Sequence, residues 1–568
     1  MPDLFRTPNN AAAGPVECLG LTFADDAARR EHFLAILREK LQDPAFRQIE
    51  GFPIGSDEDI LALSDPPYYT ACPNPFIAEF IRLYGTPYDP AAPYHKEPFA
   101  ADVSEGRSGI FYDAHSYHTK VPHKAIMRYI LHYTQPGDLV FDGFCGTGMT
   151  GVAAQLCGDR EAVKSLGYRV EKDGAILESV QEDGETVWKP FSRLGARRAI
   201  LNDLSPAATF IAYNYNTPVD VAAFEREAKR ILAEVEAECG WMYETRHHDG
   251  KTKGKINYVF WSDVFTCPEC AGEVVFWDVA VDKNAGQMRD DFPCPHCGTM
   301  LSKDPANTES KAEKKKAPSE RRPKATRIER VWITKRDYAI QQTIHQAKQT
   351  PVLINYSMGT KRFDKTPDDF DLALIKKIEE MEIPHRFPID AIKKGDKTGE
   401  PLRIGITHIH HFYTQRNLNI LSFLRHAVCK SSYPNTLHFL INSYDLTHST
   451  LMTRVIFKSG GKKPVLTGYQ SGTLYFSSIP VEKNIFEGLR KQKLGIITDS
   501  LKCIQISQIV QTGSANTLSM ESDSLDMPIR LTQEDTIGSV EQCLMFARAG
   551  DGHGSPQSSA PRSSCAAR

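Results

Sequence analysis

Leu139-Val140-Phe141-Asp142-Gly143-Phe144-Cys145-Gly146-Thr147-Gly148-Met149-Thr150 is the stretch that decides the fold class. Gln135-Pro136-Gly137-Asp138 before it reads as a turn. Leu139-Val140-Phe141 is a short apolar run ending in Asp142, the pattern of a buried parallel strand. Gly143, Gly146 and Gly148 allow a tight turn and the close approach of a ligand to the backbone. Met149 to Cys157 has helix-forming composition. The order strand, glycine-rich turn, helix predicts an α/β domain whose turn wraps a nucleoside cofactor; an ordinary strand-to-helix turn is the alternative. A phosphate loop fits less well because no Gly-Lys-Ser/Thr follows, and the dinucleotide fingerprint G-x-G-x-x-G is not met.

A second strand is expected over Arg198-Ala199-Ile200-Leu201-Asn202, ending at Asp203. A carboxylate there can accept hydrogen bonds from both ribose hydroxyls. Its alternative role is to cap a helix over Pro206 to Tyr213, a task Ser205 could also perform.

Some eighty residues upstream lies Asp65-Pro66-Pro67-Tyr68. Two consecutive prolines hold the chain extended and remove two N–H donors, leaving carbonyls free as acceptors. The Asp65 carboxylate and a neighbouring carbonyl can together accept both hydrogens of an adenine N6 or cytosine N4 amine. That would aim the nitrogen lone pair at a methyl donor. Tyr68 can stack on a base turned out of the duplex. The alternative is a proline-rich surface turn with an incidental aspartate.

Together the two motifs resemble the amino-methyltransferases that make N6-methyladenine or N4-methylcytosine in DNA. Asp65-Pro66-Pro67-Tyr68 looks like their catalytic motif. Val140 to Thr150 looks like their cofactor motif, an aspartate followed by Phe-x-Gly-x-Gly, and His118 to Lys124 resembles the segment flanking the cofactor pocket. The resemblance implies S-adenosylmethionine as cofactor, held by Asp142, Gly143, Phe144, Gly146, Gly148, Thr150 and Asp203. It implies Asp65, Pro66, Pro67 and Tyr68 at the target base, DNA as the partner, and a Rossmann-like, mostly parallel sheet of seven strands. Catalytic before cofactor is the order of the permuted class. That class places its DNA-recognition domain between the motifs, and residues 69 to 139 are too short for one, so recognition is expected elsewhere in the chain. The likeness is to the restriction-modification or phage-defence type, which implies a cognate nuclease or defence-system protein as a further partner. An RNA or protein-glutamine methyltransferase is the alternative substrate class; an aspartate rather than an asparagine before the prolines favours a base amine.

Cys267-Pro268-Glu269-Cys270 and Cys294-Pro295-His296-Cys297 form two C-P-x-C knuckles. Four thiolates at this spacing suit tetrahedral, structural Zn²⁺, and four cysteines close its coordination sphere against catalysis. Gly272 to Trp277 reads as a strand of the ribbon hairpin. Disulfides are the alternative, but the other nine of the 13 cysteines are scattered.

The chain has 568 residues, 41% hydrophobic and 24% charged, the composition of a globular protein of roughly two to four domains. No apolar stretch is long enough to span a membrane and no secretory leader is seen, so a cytoplasmic, membrane-free protein is expected. A net charge of −3 gives no global argument for nucleic acid. Locally, Lys311, Lys314, Lys315, Lys316, Arg321, Arg322, Lys324, Arg327, Arg330, Lys335 and Arg336 could neutralise phosphates or form a solvated linker.

The expected organisation is an N-terminal helical segment (1–50, with an amphipathic helix over Ala27 to Leu41), a methyltransferase region (51–256, including a long helix over Ala222 to Cys239), a zinc ribbon (257–303) and a basic low-complexity linker (304–326). A second α/β region (327–527) would recognise the target or complete the sheet, with strands at 352–356 and 437–441 and a helix over Leu418 to Cys429. His408, His410 and His411 lie in this region without a third ligand at metal-site spacing, which favours polar packing or nucleic-acid contact. The tail (528–568) reads as disordered. Ser519 to Met527 resembles the lead-in to a further Asp-Pro-Pro strand that does not follow. A truncated or frameshifted, catalytically inactive DNA-binding relative is therefore the second expectation.

Overall fold

The computed structural model describes residues 15–512, except 50–51, 54–55, 88, 102–107, 118–119, 204, 283–284, 305–324, 396, 458–463, 471 and 505–508. The expected tail, the 519–527 segment and most of the basic linker lie outside the described residues.

The chain enters through a helix α1 (Asp26–Lys40), capped by the Asp25 carboxylate and burying Arg29, Phe33 and Leu37 on one face. Strand β1 (Tyr69–Thr70) follows. A short helix α2 (Ile110–Ala114) and helix α3 (His123–Tyr133) lead to strand β2 (Leu139–Asp142). The glycine-rich turn connects β2 to α4 (Met149–Leu156). An antiparallel excursion over residues 169–193 precedes β3 (Arg198–Asn202). Helices α5 (Pro206–Asn216) and α6 (Val221–Cys239) come next. Their N-caps, Ser205 and Asp220, each accept a backbone N–H with the side-chain oxygen, which fixes where the helices begin.

A strand β4 (Lys253–Thr266) then organises the second half of the molecule. It pairs with β5 (Gln349–Met358) and with four shorter strands at 244–246, 273–275, 329–330 and 481–483; a strand at 361–365 extends β5. Two register irregularities in β4, between Ile256 and Tyr258 and between Phe260 and Trp261, shift its alternation, so that Ile256 and Val259 join the larger core while Phe260 and Phe265 join the smaller one. The boundary expected at 256/257 falls inside this strand. Helices α7 (Gln415–Val428) and α8 (Pro434–Tyr444) pack into the larger core beside α6.

The last described strand, β6 (Ile509–Thr512), returns to the first half of the chain and sits between β1 and β3. The parallel sheet thus runs β1-β6-β3-β2. Four parallel strands are present among the described residues, not the seven expected. The sheet that does hold seven strands is the antiparallel one built on β4.

Two local expectations are corrected. β2 was read as a buried strand, but it is an edge strand with β3 as its described neighbour, and Phe141 is 56% exposed. The segment 437–441 is helical within α8; Pro434 at the first turn starts the helix, and a short apolar run cannot by periodicity alone be told from a buried helix segment.

Two lysines, one from each half of the chain, converge on α2. Lys120 Nζ donates to the carbonyls of Phe111 (3.0 Å), Tyr112 (3.3 Å) and His115, and to Tyr215 Oη (3.1 Å). Lys493 Nζ donates to the carbonyls of Asp113 (3.0 Å) and Ala114 (3.2 Å). Both close the exposed carbonyl end of α2. Burial pulls Lys120 down to about 7, helped by the nearby Lys493, and pulls Lys493 down to about 8. An unfolded chain therefore holds more protons at these sites from about pH 7 up to 10.5, and stability rises with pH across that window. Unfolding by urea at pH 7 and at pH 9.5 should show wild type gaining more stability on the alkaline side than Lys120→Met; equal gains would contradict the assignment.

Candidate active site and metal centres

The glycine-rich turn is built from its own side chains and those of β3. Asp142 accepts the Phe144 N–H at 3.1 Å and the Thr150 hydroxyl, bracketing the turn from both ends. Asn202 Nδ2 donates to the Gly143 carbonyl (3.1 Å), and the Cys145 N–H donates to the Asn202 carbonyl (2.9 Å). Asp203, just beyond β3, accepts the Gly146 N–H at 2.8 Å with one oxygen and the Ser205 N–H at 2.9 Å with the other. Parallel pairing of Asp142 with Leu201 brings both strand ends to one edge, so Asp142 and Asp203 flank the same turn.

Two glycines here are dictated by geometry. Gly148 has φ of 71°, and a Cβ on it would lie 2.6 Å from the Ala212 Cβ of α5. Gly151 in α4 would drive a Cβ to 2.5 Å from Asn216 Oδ1. Asn216 Nδ2 donates to the Gly148 carbonyl at 3.0 Å, locking α5 against the turn. Phe144 is exposed at the tip.

The Asp-Pro-Pro-Tyr segment is a closed turn. The Asp65 and Tyr69 backbones exchange hydrogen bonds of 2.8 and 3.0 Å, and the Pro66–Pro67 peptide is cis. Asn74 Nδ2 holds the Pro67 carbonyl at 2.9 Å. Arg29, from α1, fills the front of the motif. Its Nη1 donates to Asp65 Oδ1 (2.9 Å) and to the Pro66 carbonyl (2.5 Å), and its guanidinium carbon lies 4.9 Å from the Tyr68 ring centroid. Its other edge pairs with Asp26. Arg29 is buried, yet the carboxylates of Asp65 and Asp26 outweigh that burial and raise its pKa. Burial, then the nearby Cys18, push the Tyr68 hydroxyl upward, so it stays protonated.

Helix α5 joins the two motifs. It begins at its cap Ser205, beside the glycine-rich turn. Two turns on, Tyr213 Oη donates to Asp65 Oδ2 at 3.2 Å, and the Tyr213 ring stacks on Tyr69 with centroids 5.0 Å apart. A helix rises about 1.5 Å per residue, so the start of α5 at Pro206 and Tyr213, which holds Asp65, are on the order of 10 Å apart along one rigid element. The sequence motifs gave no sign of Arg29 or Tyr213 as members of this site.

Comparison with known protein families places a match to the model described as DNA methylase (N6_N4_Mtase) on residues 91–182. This segment matches the DNA methylase family. It takes in α2, α3, β2, the glycine-rich turn and α4, about one sixth of the chain, and reaches neither Asp65 nor Asp203. No curated protein and no solved structure matches the chain.

Beside the methylase segment, a cleft of about 900 Å³ runs between α2, the start of α3 and the outer side of α4. It is lined by Val121, Pro122, His123, Lys124, Met149 and Gln155 among others, but by none of Gly143, Gly146, Gly148 or Asp203. Of the flanking segment, His118 and Thr119 lie outside the described residues.

The four ribbon cysteines converge. Cys267 and Cys297 sulfurs are 3.7 Å apart, Cys270 and Cys294 3.8 Å, and all four lie within 4.8 Å of one another. Tetrahedral Zn²⁺ with bonds of about 2.3 Å requires sulfur–sulfur edges of about 3.8 Å, so the donor set fits the ion. Each knuckle closes in the same way. Ala271 and Gly298 adopt positive φ (57° and 79°), and their N–H groups return to the carbonyls of Cys267 and Cys294 at 2.8 and 3.0 Å. His296 is not a fifth ligand: its Nε2 bonds the Glu273 carbonyl at 2.9 Å. The expected ribbon strand is shorter than read, 273–275, followed by a helical turn from Phe276.

Of the basic run, Arg330 is committed to an ion pair with Asp263 at 2.5 Å. The histidine cluster does have a carboxylate: Asp337, over seventy residues upstream, meets both His410 and His411.

Proposed function

We propose that the protein transfers a methyl group from S-adenosylmethionine to the exocyclic amine of adenine (N6) or cytosine (N4) in DNA. The observation that carries this reading is Arg29. One N–H₂ group of a planar guanidinium bridges Asp65 and the Pro66 carbonyl and lies against the Tyr68 ring. Those are the acceptors and the aromatic face that a base amine would require, which supports the motif as a receptor for a planar amino group.

In this proposal Asp65 and the Pro66 carbonyl take the two amine hydrogens, and Tyr68 stacks on the base once α1 withdraws Arg29. Asp142, Gly143, Phe144, Gly146, Gly148, Thr150 and Asp203 hold the cofactor, which supplies an electrophilic methyl group. Asp203 would exchange one of its backbone partners for a ribose hydroxyl. The ribbon holds structural Zn²⁺. The restriction-modification or phage-defence setting, a cognate nuclease partner and a cytoplasmic location belong to the same proposal; among the described residues no helix is long and apolar enough to cross a membrane.

The test is Asp65→Ala, with Asp65→Asn as the volume-preserving control. Methyl transfer is expected to fall by about 10²–10³-fold, the scale of losing one preorganised electrostatic partner, with cofactor affinity unchanged. Equal loss of cofactor binding and transfer in a folded variant would contradict the assignment.

A second reading is favoured by the same ion pair. If Arg29 never leaves, Asp65 is a structural carboxylate and the protein binds cofactor without transferring methyl. Saturable cofactor binding with no transfer to any DNA would select it.

A further inference from the structure

We propose that Asp337, His410 and His411 form a second metal site, for a six-coordinate divalent transition ion, opening on a cavity between the hairpin at 332–347 and helix α7. Asp337 ends the first hairpin strand, and the two histidines lie in the single helical turn Ile409–Phe412. All three are buried. His410 Nε2 is 2.8 Å and His411 Nε2 2.7 Å from the same oxygen, Asp337 Oδ2. The other oxygen, Oδ1, is tied down by the Ala339 N–H at 2.9 Å, which aims Oδ2 at the rings.

The two edge lengths, which are also ordinary hydrogen-bond lengths, admit such an ion. Ligands at about 2.0–2.1 Å lie about 2.9 Å apart when cis in an octahedron and about 3.4 Å apart in a tetrahedron. The observed separations are close to the first. Two histidines and one carboxylate on one face, with the remaining positions open, suit Fe²⁺ or Mn²⁺ better than the thiolate-bound zinc of the ribbon. The open positions would face a cavity of about 630 Å³ whose walls also carry Lys335, Glu379, Arg416 and Glu482. Arg416 and Glu482 are already paired at 2.6 Å, so the wall is a fixed polar surface. Water or an oxygen-donor ligand would complete the sphere.

The outer nitrogens of the two rings are held unequally. With both rings donating Nε2–H to Asp337, His411 Nδ1 accepts the Thr407 N–H at 3.2 Å, but His410 Nδ1 is buried with no partner among the described residues. On binding the ion, each ring carries its proton on Nδ1 instead of Nε2, and the Thr407 N–H gives up its bond to His411 Nδ1. Thr407 Oγ1, 3.4 Å from His411 Nδ1, then accepts that proton as an outer-sphere partner.

The test uses the full chain with zinc in its ribbon, titrated with Mn²⁺ and followed by the loss of free-ion EPR signal. Mn²⁺ prefers oxygen and nitrogen donors and leaves four thiolates to zinc. One further equivalent should bind to wild type. Asp337→Asn and His411→Gln should each weaken it at least 100-fold while zinc stays at one equivalent and the urea unfolding midpoint, which reports on the larger core, stays that of wild type. Should both variants fail to fold, wild type loaded with Co²⁺ beside zinc decides the matter. A weak six-coordinate spectrum without thiolate charge-transfer bands supports the site. No second equivalent in wild type, thiolate bands alone, or equal Mn²⁺ binding in folded variants overturns it.

Discussion

Cys294→Ser is expected to lose zinc and unfold the ribbon while leaving the methylase segment folded. The reason lies in how little else holds the ribbon. Its strands are two or three residues long, at 273–275, 291–293, 300–302 and 326–327, and such short pairs are marginal without a staple. Cys267 and Cys294 are themselves buried members of the local core, with Phe276, Phe292 and Leu301 around them. Zinc binding to such knuckles contributes about 10–16 kcal/mol at neutral pH, more than a core of this size supplies. The methylase segment belongs to the other core, across β4, and does not share these contacts. Metal content and amide hydrogen exchange check the prediction together. Zinc should fall below one equivalent, and protection should vanish over 267–302 but persist over 139–156. Retained zinc, or uniform loss of protection across both cores, would contradict it.

Arg29→Met should destabilise the protein by about 3–5 kcal/mol, the cost of stranding a buried carboxylate. The guanidinium is nearly fully buried and serves three acceptors: Asp26, Asp65 and the Pro66 carbonyl. Methionine keeps most of the stem volume and removes every donor. Arg30 Nε, 3.7 Å from Asp65 Oδ1, and Tyr213 can compensate only in part. The double variant Arg29→Met/Asp65→Asn should recover part of the loss, because the buried charge at Asp65 is gone and only the more exposed Asp26 is left without its partner. Urea unfolding of the two single variants and the double completes the cycle. Additive losses would mean that the pair is not coupled, and the picture of Arg29 as occupant of the amine receptor would fall with it.

What could be read from the chain follows the range of each interaction. The glycine turn was legible because its constraint is local: Gly148 needs a left-handed backbone and sits beside a helix. The four cysteines were legible because two knuckles carry their own turns. Helix α1 was legible as an amphipathic stretch, but its partner was not, since Arg29 reaches across more than thirty residues to Asp65 and nothing in either segment encodes that meeting. The same holds for Asp337, whose tie to His410 and His411 depends on a hairpin packing against a distant turn. The sheet was harder still. The fourth parallel strand, β6, comes from residues 509–512, some three hundred residues beyond β3, and the long β4 recruits partners from five separate segments. Short apolar runs such as 437–441 fit helix and strand equally, and only the core decides between them.

The most direct test of amine methylation is to incubate the protein with unmethylated genomic DNA and methyl-labelled S-adenosylmethionine, then digest to nucleosides. The account predicts label in N6-methyldeoxyadenosine or N4-methyldeoxycytidine, which also settles the base. Saturable cofactor binding with no label in either nucleoside would contradict it and leave Asp65 as Arg29's structural partner.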